Sequence, residues 1–221
     1  MDPATPTFAL ALRALGGVFA LVILAVAARR APWSRFAASE PTHVYLGSLL
    51  FLVLLWSIRA TLPGVPALHL LGVGALCLCA GPALALVGGA IVVLITSMLH
   101  DAPASGVGLI FIARVAVPVA VQYGALATSR RVLPRNPFAY FFAAAFAGGA
   151  ASFFAAAMAS RVVAQVESSG GGAIGGGEFA ILALLLAFGE ATLTGMLVTL
   201  AVVYRPAWVA TFDDAHYFAK R

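Results

Sequence analysis

The sequence predicts an all-α integral membrane protein, a bundle of about seven transmembrane helices with the amino terminus outside and the carboxyl terminus in the cytoplasm. Three observations carry this expectation. Hydrophobic residues make up 62% of the 221 and charged residues only 10%, where soluble domains carry about a quarter charged. That leaves too little polar surface to clothe a globule, and the mean hydropathy is +1.03. Apolar runs of spanning length recur along the chain, and the basic residues collect in short clusters between them. The net charge of +5 therefore reads as membrane topology, with lipid as the surroundings, and not as a nucleic-acid surface.

The first run, 7–28, contains Ala25-Val26-Ala27, which resembles a signal-peptide cleavage site. Asp2 precedes the run, however, and the basic residues Arg29, Arg30 and Arg35 follow it. It is also longer than a signal core, so it reads as a retained helix. The further spans are 44–60, 65–80, 83–99, 106–127, 138–162 and 178–203. The third and fourth are short and separated only by Ala80-Gly81-Pro82. Proline restricts the residue before it and cannot continue a helix ladder, so this pair is either a tight hairpin or two partial helices.

With this helix count, Arg29, Arg30 and Arg35, Arg130, Arg131 and Arg135, and Arg205, Lys220 and Arg221 all fall on one face. The positive-inside rule assigns that face to the cytoplasm. The expected location is the bacterial cytoplasmic (inner) membrane, multi-pass. Residues 1–206 form the polytopic domain and 207–221 a cytoplasmic tail. Within the tail, Asp213, Asp214 and His216 read as solvated or partner-binding groups. The Gly-rich stretch 168–177 lacks the Gly-Lys-Ser/Thr ending of a phosphate loop and reads as a flexible linker. No ATPase signature occurs in the chain. Cys77 and Cys79, two residues apart on a helix, point to different faces and read as packing residues.

Ionisable groups inside lipid are costly, so His69, Arg114 and Glu190 are functional candidates. His69 lies near the outer start of the third span and His100 at the outer end of the fourth, followed by Asp101. A hairpin brings both imidazoles to one membrane face, with Asp2 and Glu178 also on that side. Histidine with carboxylates suits a borderline divalent cation such as Ni, Co, Zn or Cu. The spacing contains no ligand-pair signature, so His69 is either a ligand or a helix-packing histidine, and His100 reads first as a loop-edge residue. Arg114 and Glu190 are expected to form a buried ion pair, either locking the bundle or lying on an ion pathway. His43 reads as interfacial.

The stretch Leu62-Pro63-Gly64-Val65-Pro66-Ala67-Leu68-His69-Leu70-Leu71-Gly72, followed by Gly81-Pro82, resembles the permeases of energy-coupling-factor importers for cobalt and nickel (CbiM/NikM type). Gly189-Glu190-Ala191-Thr192-Leu193-Thr194-Gly195 with Tyr204-Arg205-Pro206 is similar to that family's last helix, so the resemblance covers about 45–206. It implies a substrate-capturing membrane subunit that works with a transmembrane coupling protein and cytoplasmic ATPases. It also implies that His69 corresponds to the family's metal-binding histidine. The chain departs from the pattern at its start, Met1-Asp2-Pro3, where metal-binding members begin Met-His, and at Arg114, near a position usually neutral in the family.

The resulting functional expectation is a permease subunit for a transition-metal ion, holding no permanent cofactor. His69 is its ligand, with His100 and Asp101 as helpers. The alternative is a non-transporting accessory or scaffold subunit built on the same fold. An enzyme is not expected: the chain has no His-Glu-x-x-His, Gly-x-Ser-x-Gly or paired intramembrane aspartates.

Overall fold

The structure is a computed structural model that describes residues 4–37, 39–58, 68–100, 104–134, 136–167 and 175–213. It is almost entirely helical. The helices are α1 (Ala4–Arg30), α2 (Ser39–Ser57), α3 (Val73–Ala80), α4 (Pro82–Leu99), α5 (Val107–Val132), α6 (137–167) and α7 (Gly176–Tyr204). Among the described residues, five helices are long and apolar enough to cross a membrane: α1 over Leu10–Arg30, α4, α5, α6 over Pro137–Gln165, and α7. α2 opens on the polar Ser39-Glu40-Pro41-Thr42-His43, which shortens its apolar part.

The peripheral helices expose what lipid accepts. Leu10, Phe19 and Leu21 on α1, and Ile181, Leu184 and Phe188 on α7, are each more than 60% exposed. Helices apolar on all sides are stable only in such surroundings.

The third predicted span is not a span. The helix covers only Val73–Ala80, about 12 Å at 1.5 Å per residue, against a hydrocarbon core of about 30 Å. Residues 68–72 before it are not helical. The choice left open by Gly81-Pro82 resolves as one partial helix followed by one full one. Gly81 serves both, as the end of α3 and the start of α4, at φ +91°. That is a conformation glycine adopts without steric cost. Every residue of α3 except Cys79 is buried, and the helix sits at the centre of the bundle against α4, α5, α6 and α7.

α5 and α6 each contain a π-helical stretch, Ile112–Ala116 and Tyr140–Ala147. In α5 the cause is Pro118. Pro118 has no N–H for the carbonyl of Arg114, and the Val117 N–H reaches back to the Ile112 carbonyl instead. In α6 the Ala144 carbonyl takes a hydrogen bond from the Gln122 side chain of α5, at 2.6 Å.

The described part of the segment after α7, up to residue 213, packs onto the end of α3. Ala210 N–H donates to the Cys79 carbonyl and Thr211 N–H to the Leu78 carbonyl. The Thr211 hydroxyl also donates to Leu78 at 2.8 Å, and Arg130 donates to the Thr211 carbonyl. Phe212 packs edge-on against Tyr140. The last carbonyls of α3 lack helical partners by geometry, and this segment supplies them. Arg35 adds the Ala80 carbonyl at 3.5 Å. Residues 214–221, Asp2, and 168–174 of the Gly-rich linker lie outside the described residues.

Candidate metal-capture site

The non-helical residues 68–72 carry backbone polar groups deep in the bundle, where no water satisfies them and each unmade bond is expensive. Two helices supply partners for this backbone, and a third reaches the His69 side chain. From α7, Glu190 accepts the Leu71 N–H at 2.8 Å and the Gly72 N–H at 2.7 Å, one on each carboxylate oxygen. From α2, the Trp56 indole N–H donates to the Leu71 carbonyl at 2.9 Å. From α5, Arg114 reaches the His69 ring, Nη1 to Nε2 at 3.3 Å. Gly72 then turns the chain into α3 at φ +63°, in the left-handed region where a side chain is disfavoured.

This geometry corrects the expected Arg114–Glu190 ion pair. Glu190 is 1% exposed and spends both oxygens on backbone amides, while Arg114 is turned to His69. The segment 68–72 stands between the two residues.

His69 is nearly buried, with its ring 5.1 Å from that of Trp56. The ring lies beside a cavity of about 60 Å³ shared with Trp56, Thr96, Ser97, His100, Ile110 and Arg114. The structure therefore brings His69, His100 and Arg114 to one place. The His100 Nδ1 lies 2.8 Å from the Thr96 carbonyl, which leaves Nε2 as its second ring nitrogen. Asp101, the third expected metal residue, lies outside the described residues. Among those described, no group of three or more His, Cys, Asp or Glu side chains is arranged to hold a metal ion.

One residue of the site is not among the sequence-predicted ones: Trp56, whose position in α2 just before the Pro-Gly-rich stretch is the available signal. Elsewhere in the core, Gln122 is fully buried and donates to the Ala144 carbonyl.

The chain matches the family described as the cobalt uptake substrate-specific transmembrane region, CbiM, over residues 6–208. The chain belongs to the CbiM family. Its fold is that of solved transporters. One structure, of a truncated transition metal transporter, superposes with a TM-score of 0.71 at 18% identity, covering 88% of this chain and 95% of the other. A second, of a transition metal transporter, gives a TM-score of 0.67 at 19% identity, covering 96% and 95%. No curated protein matches the sequence. CbiM membership makes the chain a multi-pass membrane component of a metal-uptake type, in a family of transporter components and not of enzymes.

Proposed function

We propose that this chain is the substrate-capturing subunit of an energy-coupling-factor-type importer and that its cargo is a bare or partly hydrated divalent transition-metal ion, cobalt or nickel. The observation that supports this most is the suspended segment 68–72, which three helices hold so that the His69 imidazole borders the cavity shared with His100. Imidazole suits Co²⁺ and Ni²⁺. A cavity of about 60 Å³ takes a few water-sized particles, not an organic cofactor or a bulky chelate. His69 is the first ligand in this reading, with His100 and Asp101 completing the shell. The basic clusters put the His69 end of the bundle outside and the Arg130 end in the cytoplasm. The chain carries no ATPase signature, so a transmembrane coupling subunit and cytoplasmic ATPases drive release, and the bundle supplies alternating access around a fixed central segment.

A second reading, a non-transporting accessory subunit, is favoured by one specific contact: Arg114 already stands on the His69 nitrogen that faces the cavity. Equilibrium titration of the full chain in detergent with CoCl₂ and NiCl₂ separates the two. The capture reading expects one saturable site in the wild type that disappears in His69→Ala. A folded, monodisperse wild type that binds neither ion contradicts it and leaves the accessory role.

A further inference from the structure

Two described neighbours of the His69 ring bear on its tautomer. Nδ1 lies 3.0 Å from the Leu70 carbonyl, which only accepts, so Nδ1 carries the proton. A guanidinium has donors only, so Nε2, 3.3 Å from Arg114 Nη1, is the acceptor. A neutral imidazole has one lone pair in its plane, and it is the same lone pair that a metal ion takes. Arg114 holds it.

We infer that Arg114 is a specificity-determining residue of this site: its guanidinium is a tethered cation that occupies the place of the metal on His69 Nε2, and an incoming ion binds there only by displacing it. The inference rests on the reading of His69 as the capture ligand. Three further features agree with it. Arg114 lies within the π-helical stretch Ile112–Ala116, where the normal ladder is already relaxed and a side chain is re-aimed at a site. Cavities flank the pair on both sides, one of about 60 Å³ toward Thr96 and His100 and one of about 20 Å³ toward Phe153 and Ser160. Glu190 is committed to Leu71 and Gly72, so it does not hold the guanidinium away from the ring. The consequence is a threshold. Ions with weak affinity for imidazole, such as Mg²⁺ and Ca²⁺, do not displace the guanidinium, whereas borderline ions high in the Irving–Williams order do.

The test compares Co²⁺ and Ni²⁺ titrations of the full chain in detergent for the wild type, Arg114→Met, Arg114→Gln, Arg114→Lys and the His69→Ala/Arg114→Met double variant. Both neutral variants are expected to bind about tenfold more tightly or better, the effect of one released hydrogen bond and one removed like charge. Arg114→Lys keeps the charge and is expected to stay near the wild type, and the gain is expected to vanish in the double variant. Should Arg114→Met fail to fold, Arg114→Gln makes the same comparison with a polar side chain. Wild-type binding that depends on His69 but is no weaker than that of the neutral variants overturns this inference alone. A gain that survives loss of His69 overturns it as well. No binding by the wild type or by either neutral variant overturns both the inference and the capture reading.

Discussion

Glu190→Ala is expected to destabilise the bundle more than removal of any other buried polar side chain. The substitution leaves the Leu71 and Gly72 N–H groups without their side-chain acceptor inside the bundle. Each orphaned buried donor costs roughly 1–3 kcal/mol, so the pair costs about 2–6 kcal/mol. That is comparable with the whole stability of an ordinary domain. The effect reaches beyond stability, because the same two bonds fix the backbone that presents His69. Thermal melting of the purified protein in detergent measures it. The expected order is wild type above Glu190→Gln above Glu190→Ala, since glutamine keeps one acceptor oxygen but turns an NH₂ toward the other donor. A Glu190→Ala protein that melts with the wild type contradicts the assignment.

Gly108→Ala is expected to separate α1 from α5. A Cβ at position 108 falls 2.6 Å from Gly17 Cα, 2.7 Å from Gly17 N and 2.9 Å from the Gly16 carbonyl carbon. All three are backbone atoms of α1, which cannot rotate away as a side chain can, so the helices must part. Overpacking of this kind costs roughly 1–3 kcal/mol for a single methyl. Gly108→Leu is expected to be worse. Gly17 provides the control: it lies in the same crossing, yet a Cβ there meets nothing within 4 Å, so Gly17→Ala is expected to melt like the wild type. Equal effects at the two glycines are the result that contradicts a backbone-to-backbone crossing.

Much of this architecture was legible before any coordinates. Composition required lipid, and the long apolar runs mark α1, α4, α5, α6 and α7 within a few residues. Gly81-Pro82 marks the junction of α3 and α4, because a proline there cannot continue a ladder and the glycine supplies the positive φ. The cost of ionisable groups in hydrocarbon singled out His69, Arg114 and Glu190, and all three contribute to the same small region of the bundle.

What the residues did not disclose has physical causes. Apart from His69, Leu68 to Gly72 is apolar whether helical or extended, so hydropathy joins it to α3 and lengthens a partial helix into a span. A buried carboxylate demands donors without saying which. The depth of Arg114 made it the evident partner, but two backbone N–H groups freed by a non-helical segment satisfy Glu190 equally well, and only the folded chain shows that segment beneath it. Residues 207–213 read as part of the tail because of their polar neighbours. Val209 and Phe212, spaced between them, were the signal that this segment packs onto the end of α3.

The most direct test of the central claim is X-ray absorption at the cobalt edge on the cobalt-loaded full chain, with wild type and His69→Ala side by side. A metal captured on the suspended segment 68–72 shows imidazole scattering in the wild type that is reduced or lost in His69→Ala. A first shell of oxygen alone in the wild type, or an imidazole signal unchanged without His69, contradicts the account and moves the cargo away from this segment.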